Sequence, residues 1–182
     1  MPVKIKAKVD VWHLRDNQPI KYYYFPCRSF TRWFKRFVGV ILSGTGTKGF
    51  SKLRVKDIDG AERDVDGGCA VRDYNIVKNI AIGESNEDFE WNQHHLLGFK
   101  MWATGLTKSI DLSEQNETVR YELTGTFNIT SAFTVWETGL FGEFRDTGAV
   151  LRTFLASRDR LHEGIPVVPD DIIIVRYRVV IG

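Results

Sequence analysis

Ile172 to Ile181 places Ile173, Val175, Tyr177, Val179 and Ile181 on one parity, and Arg176 and Arg178 on the other. Successive side chains of a strand point to opposite faces. This period of two therefore specifies a strand with one face buried and a charged face in water. The period recurs twice. Val3, Ile5, Ala7, Val9 and Val11 alternate with Lys4, Lys6, Lys8, Asp10 and Trp12. Val119, Tyr121, Leu123, Phe127 and Ile129 alternate with Thr118, Arg120, Glu122, Thr124, Thr126 and Asn128. Gly125 interrupts that last apolar set and predicts a bulge. Strands buried on one side need a second layer to bury against.

Shorter segments supply that layer. Strands are expected at Lys21 to Phe25 (ended by Pro26), Leu53 to Ile58, Ala61 to Val65, Ile80 to Gly83, Phe133 to Phe141 and Val150 to Ala156. Asp59-Gly60 joins the second and third of these and favours a tight hairpin turn. Leu96 to Ala103 reads equally well as a strand or a short helix. One helix is expected at Ser29 to Leu42. Phe30, Trp33, Phe34, Phe37, Val38, Ile41 and Leu42 fall on one of its faces, Ser29 caps its start and Gly44 follows its end. The expected fold is mainly β: an antiparallel β-sandwich or jelly roll with one amphipathic α-helix at about 29–42, in a single domain over 1–182. A βαβ rhythm is absent, which disfavours Rossmann-type folds.

Charge is distributed unevenly along the chain. Residues 1–56 hold 13 Lys/Arg against two acids, a surplus of 11 positive; the remainder holds 12 against 21, a surplus of nine negative. Such a split suggests a partner surface, with Lys4, Lys6, Lys8, Arg28, Arg32, Lys35 and Arg36 as its basic side. Alternatively, the fold interleaves the two parts and mixes the charges. Cys27 and Cys69 are too few for a disulfide framework and too far apart in sequence for a local metal motif. No apolar run is long enough to cross a bilayer, so no membrane partner is expected. The lysine-alternating start is unlike a signal peptide.

Candidate chemistry fails on register or element order. Gly44 to Gly49 matches the spacing of a dinucleotide loop, but it follows a helix and precedes a strand, the reverse of what pyrophosphate binding requires. Asp57, Asp59, Asp64 and Asp66 surround a turn without calcium-loop register and read as turn chemistry on a solvated face. His94 and His95 are adjacent, and on a strand they would diverge. No nucleophile has a recognisable local signature. The chain is therefore expected to be non-enzymatic, with no cofactor and no metal.

Three stretches carry a resemblance. Ser29-Phe30-Thr31-Arg32 enters the aromatic helix and is followed, after a hairpin, by Asn79-Ile80-Ala81-Ile82-Gly83. Val135-Trp136-Glu137-Thr138-Gly139-Leu140-Phe141 is an apolar strand holding one acid. Leu151 to Ala156 leads to Val168-Pro169-Asp170-Asp171 and the alternating last strand. The last two stretches resemble the end of small β-rich virion structural proteins of tailed bacteriophages and related viruses. Those proteins carry a Glu-x-Gly-Leu segment and a Gly-Asp turn into a final strand. Asp170 stands where they have glycine, and since a side chain disfavours positive φ, the turn is expected to differ. The resemblance implies a β-sandwich acting in the particle as capsid decoration, spike, fibre or tail component, assembled in the host cytoplasm as a trimer or ring beside other virion proteins. Two alternatives remain: a nucleic-acid-binding module using the basic first third, and a carbohydrate-binding sandwich with Tyr23 or Trp91 as platforms. Independently of any family, Glu137 between Trp136 and Gly139 needs a partner if buried, and Arg152 or Arg158 can supply a structural ion pair.

Overall fold

A computed structural model of the chain describes residues 5–27, 30–35, 54–65, 78–113 and 118–181. Among these residues eleven strands run in chain order: β1 Ile5–Arg15, β2 Gln18–Cys27, β3 Arg54–Lys56, β4 Glu62–Asp64, β5 Asn79–Gly83, β6 Phe99–Trp102, β7 Gly105–Ser113, β8 Thr118–Asn128, β9 Phe133–Arg145, β10 Leu151–Val167 and β11 Ile172–Ile181. They form a five-stranded sheet ordered β2-β1-β11-β8-β7, a four-stranded sheet ordered β10-β9-β5-β6, and the small β3-β4 hairpin. All pairings are antiparallel. The two larger sheets pack together as a β-sandwich, burying one core between their inner faces.

The alternating segments lie where their period directs them. Val9, Val11, Leu123, Phe127, Ile173, Val175 and Tyr177 line the inner face of the larger sheet, packed against Ile80, Ile82, Leu140, Phe144 and Phe154 of the smaller one. Strand β2 lies at a sheet edge, so Pro19 and Pro26 fall within it at little cost to the ladder; Pro26 does not end the strand. The β1-β2 hairpin turns on Asp16 and Asn17, both at positive φ (52° and 60°), the geometry of a tight two-residue turn. Gly60, at φ 85°, closes the β3-β4 hairpin as the last residue of a three-residue loop from Ile58 to Gly60. The Asp57 N–H donates to the Ala61 carbonyl at 3.0 Å and Asp59 is not at positive φ, so this is not the tight two-residue turn expected of Asp59-Gly60.

Several expectations need correction. Gly125 marks no bulge, since β8 runs in unbroken register against β11 through the Gly125–Val175 pair. Its bare Cα instead lets the sheets approach: a Cβ there would lie 2.9 Å from the Ala103 Cβ and 3.3 Å from Ile80. Leu96 to Ala103 contributes strand β6, and β7 is a strand that periodicity did not reveal. Asp170 adopts positive φ (73°) despite its side chain, and the neighbouring Asp171 carboxylate ties that turn together.

Within the expected helix, residues 32–35 are helical; Ser29 and residues 36–42 lie outside the described residues, as do Gly44 to Gly49 and Cys69. Thr31 caps the turn, accepting the Phe34 N–H at 3.2 Å, and donates its own hydroxyl to the Leu155 carbonyl at 2.6 Å. Trp33 and Phe34 belong to the main core, so this part of the aromatic stripe is covered by the subunit's own sheets.

Candidate functional site

The outer face of the four-stranded sheet is covered by residues 84–98, held down from beneath by Glu137 and Arg158. Neither residue is exposed. The Arg158 Nε donates to one Glu137 carboxylate oxygen, and the Gly98 N–H donates to the other at 2.6 Å. The Arg158 Nη1 donates to the Asp88 carbonyl at 3.0 Å and reaches Gln93 Oε1 at 3.4 Å. A Cβ at Gly83 would collide with the Glu137 carboxylate, and one at Gly139 would lie 2.7 Å from Leu96 Cδ2. Two strand glycines thus make room for the carboxylate and for the loop. Arg152 is engaged elsewhere: its Nε donates to Asp146 at 2.8 Å. Hydrogen bonds from Arg152 and from the Val150 and Gly148 amides hold the Asp146 carboxyl below its ordinary value against some desolvation. Glu137 and Arg158 therefore form the ion pair, and its effect is to position the loop.

Above this clamp lie two adjoining depressions. One, of about 440 Å³, is apolar and lined by Ile58, Leu96, Leu97, Phe99, Trp102 and Phe141, with His95 beside them. Trp102 meets Phe141 edge-on at 4.6 Å and Phe99 at 5.3 Å between ring centres. The second, of about 270 Å³, is lined by Glu87, Asp88, Glu90, Lys56, His94 and His95 among others. The two imidazoles lie 4.4 Å apart, and burial, then the neighbouring His95, lowers the His94 pKa. The acidic ladder below is only partly solvated. Asp57 is buried and accepts from the Ala61 N–H and the Arg63 Nε, both at 2.9 Å, while Asp64 pairs with Arg54. Asp66 lies outside the described residues.

The opposite outer face, that of the five-stranded sheet, carries no covering layer among the described residues. Asp10 is nonetheless shielded, because its neighbours close over it. The Tyr22 hydroxyl donates to it at 2.7 Å, Arg178 Nη2 at 2.6 Å and Arg176 Nε at 3.1 Å. Burial pushes the Asp10 carboxyl up, but those three donors together outweigh it and hold the group below its ordinary value. Around it Trp12 and Tyr22 lie 5.3 Å apart, Arg176 sits 4.7 Å over Trp12, and Lys8 sits 5.3 Å over Tyr24. Ile20, Tyr22 and Tyr24 are each about half exposed (52%, 52% and 50%).

No family model, curated protein or solved structure matches this chain.

The fold divides the expected basic surface. Lys6 and Lys8 are exposed on the outer face of the five-stranded sheet. Arg32 and Lys35 lie against Trp91 of the covering loop, with cation-to-ring distances of 5.9 and 5.2 Å. Lys4, Arg28 and Arg36 lie outside the described residues. Strand β1 pairs with β11, so Lys8 stands opposite Arg178 and Asp10 opposite Arg176. Residues of the basic first third and of the last strand therefore meet on one sheet, Lys8 opposite a like charge and Asp10 opposite an unlike one. Of the two named aromatic platforms, Trp91 is exposed, whereas Tyr23 is part-buried against the core. Tyr22 and Tyr24, on the opposite parity of the same strand, are the exposed ones.

Proposed function

We propose that this chain is a non-enzymatic structural component of a virus particle, a capsid decoration, spike or tail protein that works by self-assembly and by docking on other particle proteins. One observation carries the reading: a sandwich built on long antiparallel strands keeps large apolar side chains open to water on both outer faces. Tyr22 and Tyr24 stand on one, and Trp91, Leu97 and Phe99 on the other, each 42–54% exposed. Clusters of exposed aromatic and aliphatic side chains mark contact surfaces, and aromatics dominate the energy of such contacts. The resemblance of the Glu137-to-Leu140 segment and the final strand to virion proteins supports the same reading. Sedimentation velocity over a range of concentrations, with immunogold labelling of purified particles, tests it. The expected result is a trimer or ring and a regular position on the particle; a monomer at all concentrations that also fails to label particles refutes it.

A specific observation favours one second reading, a single-stranded nucleic-acid-binding surface. The Trp12–Arg176 and Tyr24–Lys8 pairs set cations beside aromatic rings on an open sheet, the combination on which unstacked bases and phosphates can bind. It predicts binding of a labelled oligonucleotide that weakens steeply with salt. No binding at low salt eliminates it.

A further inference from the structure

We propose that copies of this chain join head to tail, with Tyr24 and Lys8 of one copy entering the apolar pocket and the adjoining carboxylate groove of the next. The inference rests on the assembly reading and names its two surfaces.

The argument is one of complementary chemistry in a matching order. On the outer face of the smaller sheet, the apolar pocket of about 440 Å³ and the groove of about 270 Å³ share His95 and Leu97, so they are one side chain apart. The pocket has aromatic walls in Phe99 and Trp102 and an apolar floor in Phe141 and Leu96, both buried. The groove sets Glu87, Asp88 and Glu90 against one lysine, Lys56. Arg160 already holds Asp88 at 2.9 Å, whereas Glu87 and Glu90 are exposed and have no ion-pair partner among the described residues. An apolar site beside these exposed carboxylates calls for an aromatic side chain beside a cation.

The other outer face presents that pair. Tyr24 is half exposed, and the Lys8 ammonium sits 5.3 Å from the centre of its ring. Tyr22 is equally exposed, but its hydroxyl is committed to Asp10 at 2.7 Å, which leaves Tyr24 as the anchor. A tyrosine entering a desolvated pocket with charged groups around it is a common form of interface hot spot. The two surfaces lie on opposite faces of the sandwich, so one contact leaves a free surface at each end. Repetition closes into a ring or continues as a stack.

The test is sedimentation velocity on the full chain at low and high salt, with circular dichroism and thermal melting to establish folding of every variant. Tyr24→Ala and Leu97→Asp, both at exposed positions, are each expected to weaken self-association by about tenfold or more. Lys8→Glu alone, and Glu87→Lys with Glu90→Lys, should each weaken it, and the three reversals combined should restore it. Self-association that survives Tyr24→Ala and Leu97→Asp overturns this inference and leaves the assembly reading standing. So does charge reversal without mutual rescue. Self-association that persists in Leu97→Asp while docking on purified particles is lost assigns the pocket to another particle protein and overturns the second-copy assignment. A wild-type chain that is monomeric at every concentration and does not dock on particles overturns both readings together.

Discussion

Arg158 and Glu137 meet on the outer face of the four-stranded sheet because of one extra residue. Strand β10 pairs Leu155 with Phe141 and Ser157 with Leu140, leaving Ala156 unpaired as a bulge. Before the bulge, Phe154 faces the core and Leu155 faces outward; after it, Arg158 is the outward residue, opposite Gly139 and diagonal to Glu137. Had these residues paired in strict alternation with no bulge, Arg158 would share the parity of Phe154 and point its guanidinium into the core.

The clamp should therefore behave as a buried pair. Glu137→Leu or Arg158→Leu alone is expected to cost about 3–5 kcal/mol, because each leaves a charge buried without its partner. The double substitution should cost far less than the sum. Urea denaturation of the three variants measures the coupling, and limited proteolysis should show cleavage within residues 84–98 in the single variants first.

Gly125 and Gly105 give a matched comparison. A Cβ at Gly125 meets Ala103 and Ile80 between the sheets, whereas one at Gly105 has only the Thr126 Cβ, 3.9 Å away. Gly125→Ala is expected to destabilise by about 1–3 kcal/mol through overpacking, and Gly105→Ala to stay within about 0.5 kcal/mol of wild type. Chemical denaturation midpoints decide this.

Acid should destabilise the fold through Asp171 and Asp10. Asp171 is held well below the usual carboxylate range, chiefly by the Arg15 guanidinium, against desolvation, with further help from the Val168 N–H and His13. Asp10 is lowered by its three donors. A carboxyl depressed in the folded state contributes stability that is complete above its unfolded value of about 3.9, and loses it as pH falls below that toward the folded value. Thermal midpoints measured from pH 7 to pH 2 should be flat in this respect above about pH 5 and fall below it. Asp171→Asn should lower stability at neutral pH and flatten the acid limb.

Ala149 occupies the left-handed region (φ 61°) in the exposed turn organised by Asp146, whose carboxylate accepts the Gly148 and Val150 amides at 2.9 and 3.0 Å. An L-residue with a Cβ is strained there by about 1–2 kcal/mol, partly offset by the greater unfolded-state entropy of glycine. Ala149→Gly should stabilise by about 0.5 kcal/mol or more, read as a higher denaturation midpoint with an unchanged slope.

The local period was legible in the sequence. Strands β1, β8 and β11 follow from alternation alone, because a side-chain period of two assigns every residue of a half-buried strand to one face. Asp59-Gly60 announced its hairpin, and Asp16-Asn17 carried a comparable turn signal that an incomplete alternation obscured. Strand β7 was not legible. Its residues from Gly105 to Asp111 are exposed on both parities, so no burial impressed a pattern on them. The need of Glu137 for an arginine could be read from an acid set among apolar neighbours, but the choice of Arg158 over Arg152 could not.

The sequence by itself determined which faces of the strands are apolar, and therefore that they must pack in two layers. Tertiary structure decided which strands are neighbours and where register shifts. Pairing β1 with β11 brought Asp10 of the first third to Arg176 and Arg178 of the last strand, a contact that chain order does not show. The bulge at Ala156 turned Arg158 outward onto Glu137 and so placed the loop that forms the pocket. Both depend on contacts between residues far apart in the chain, whose geometry is set by the packing of whole sheets and leaves no local periodic trace in the sequence.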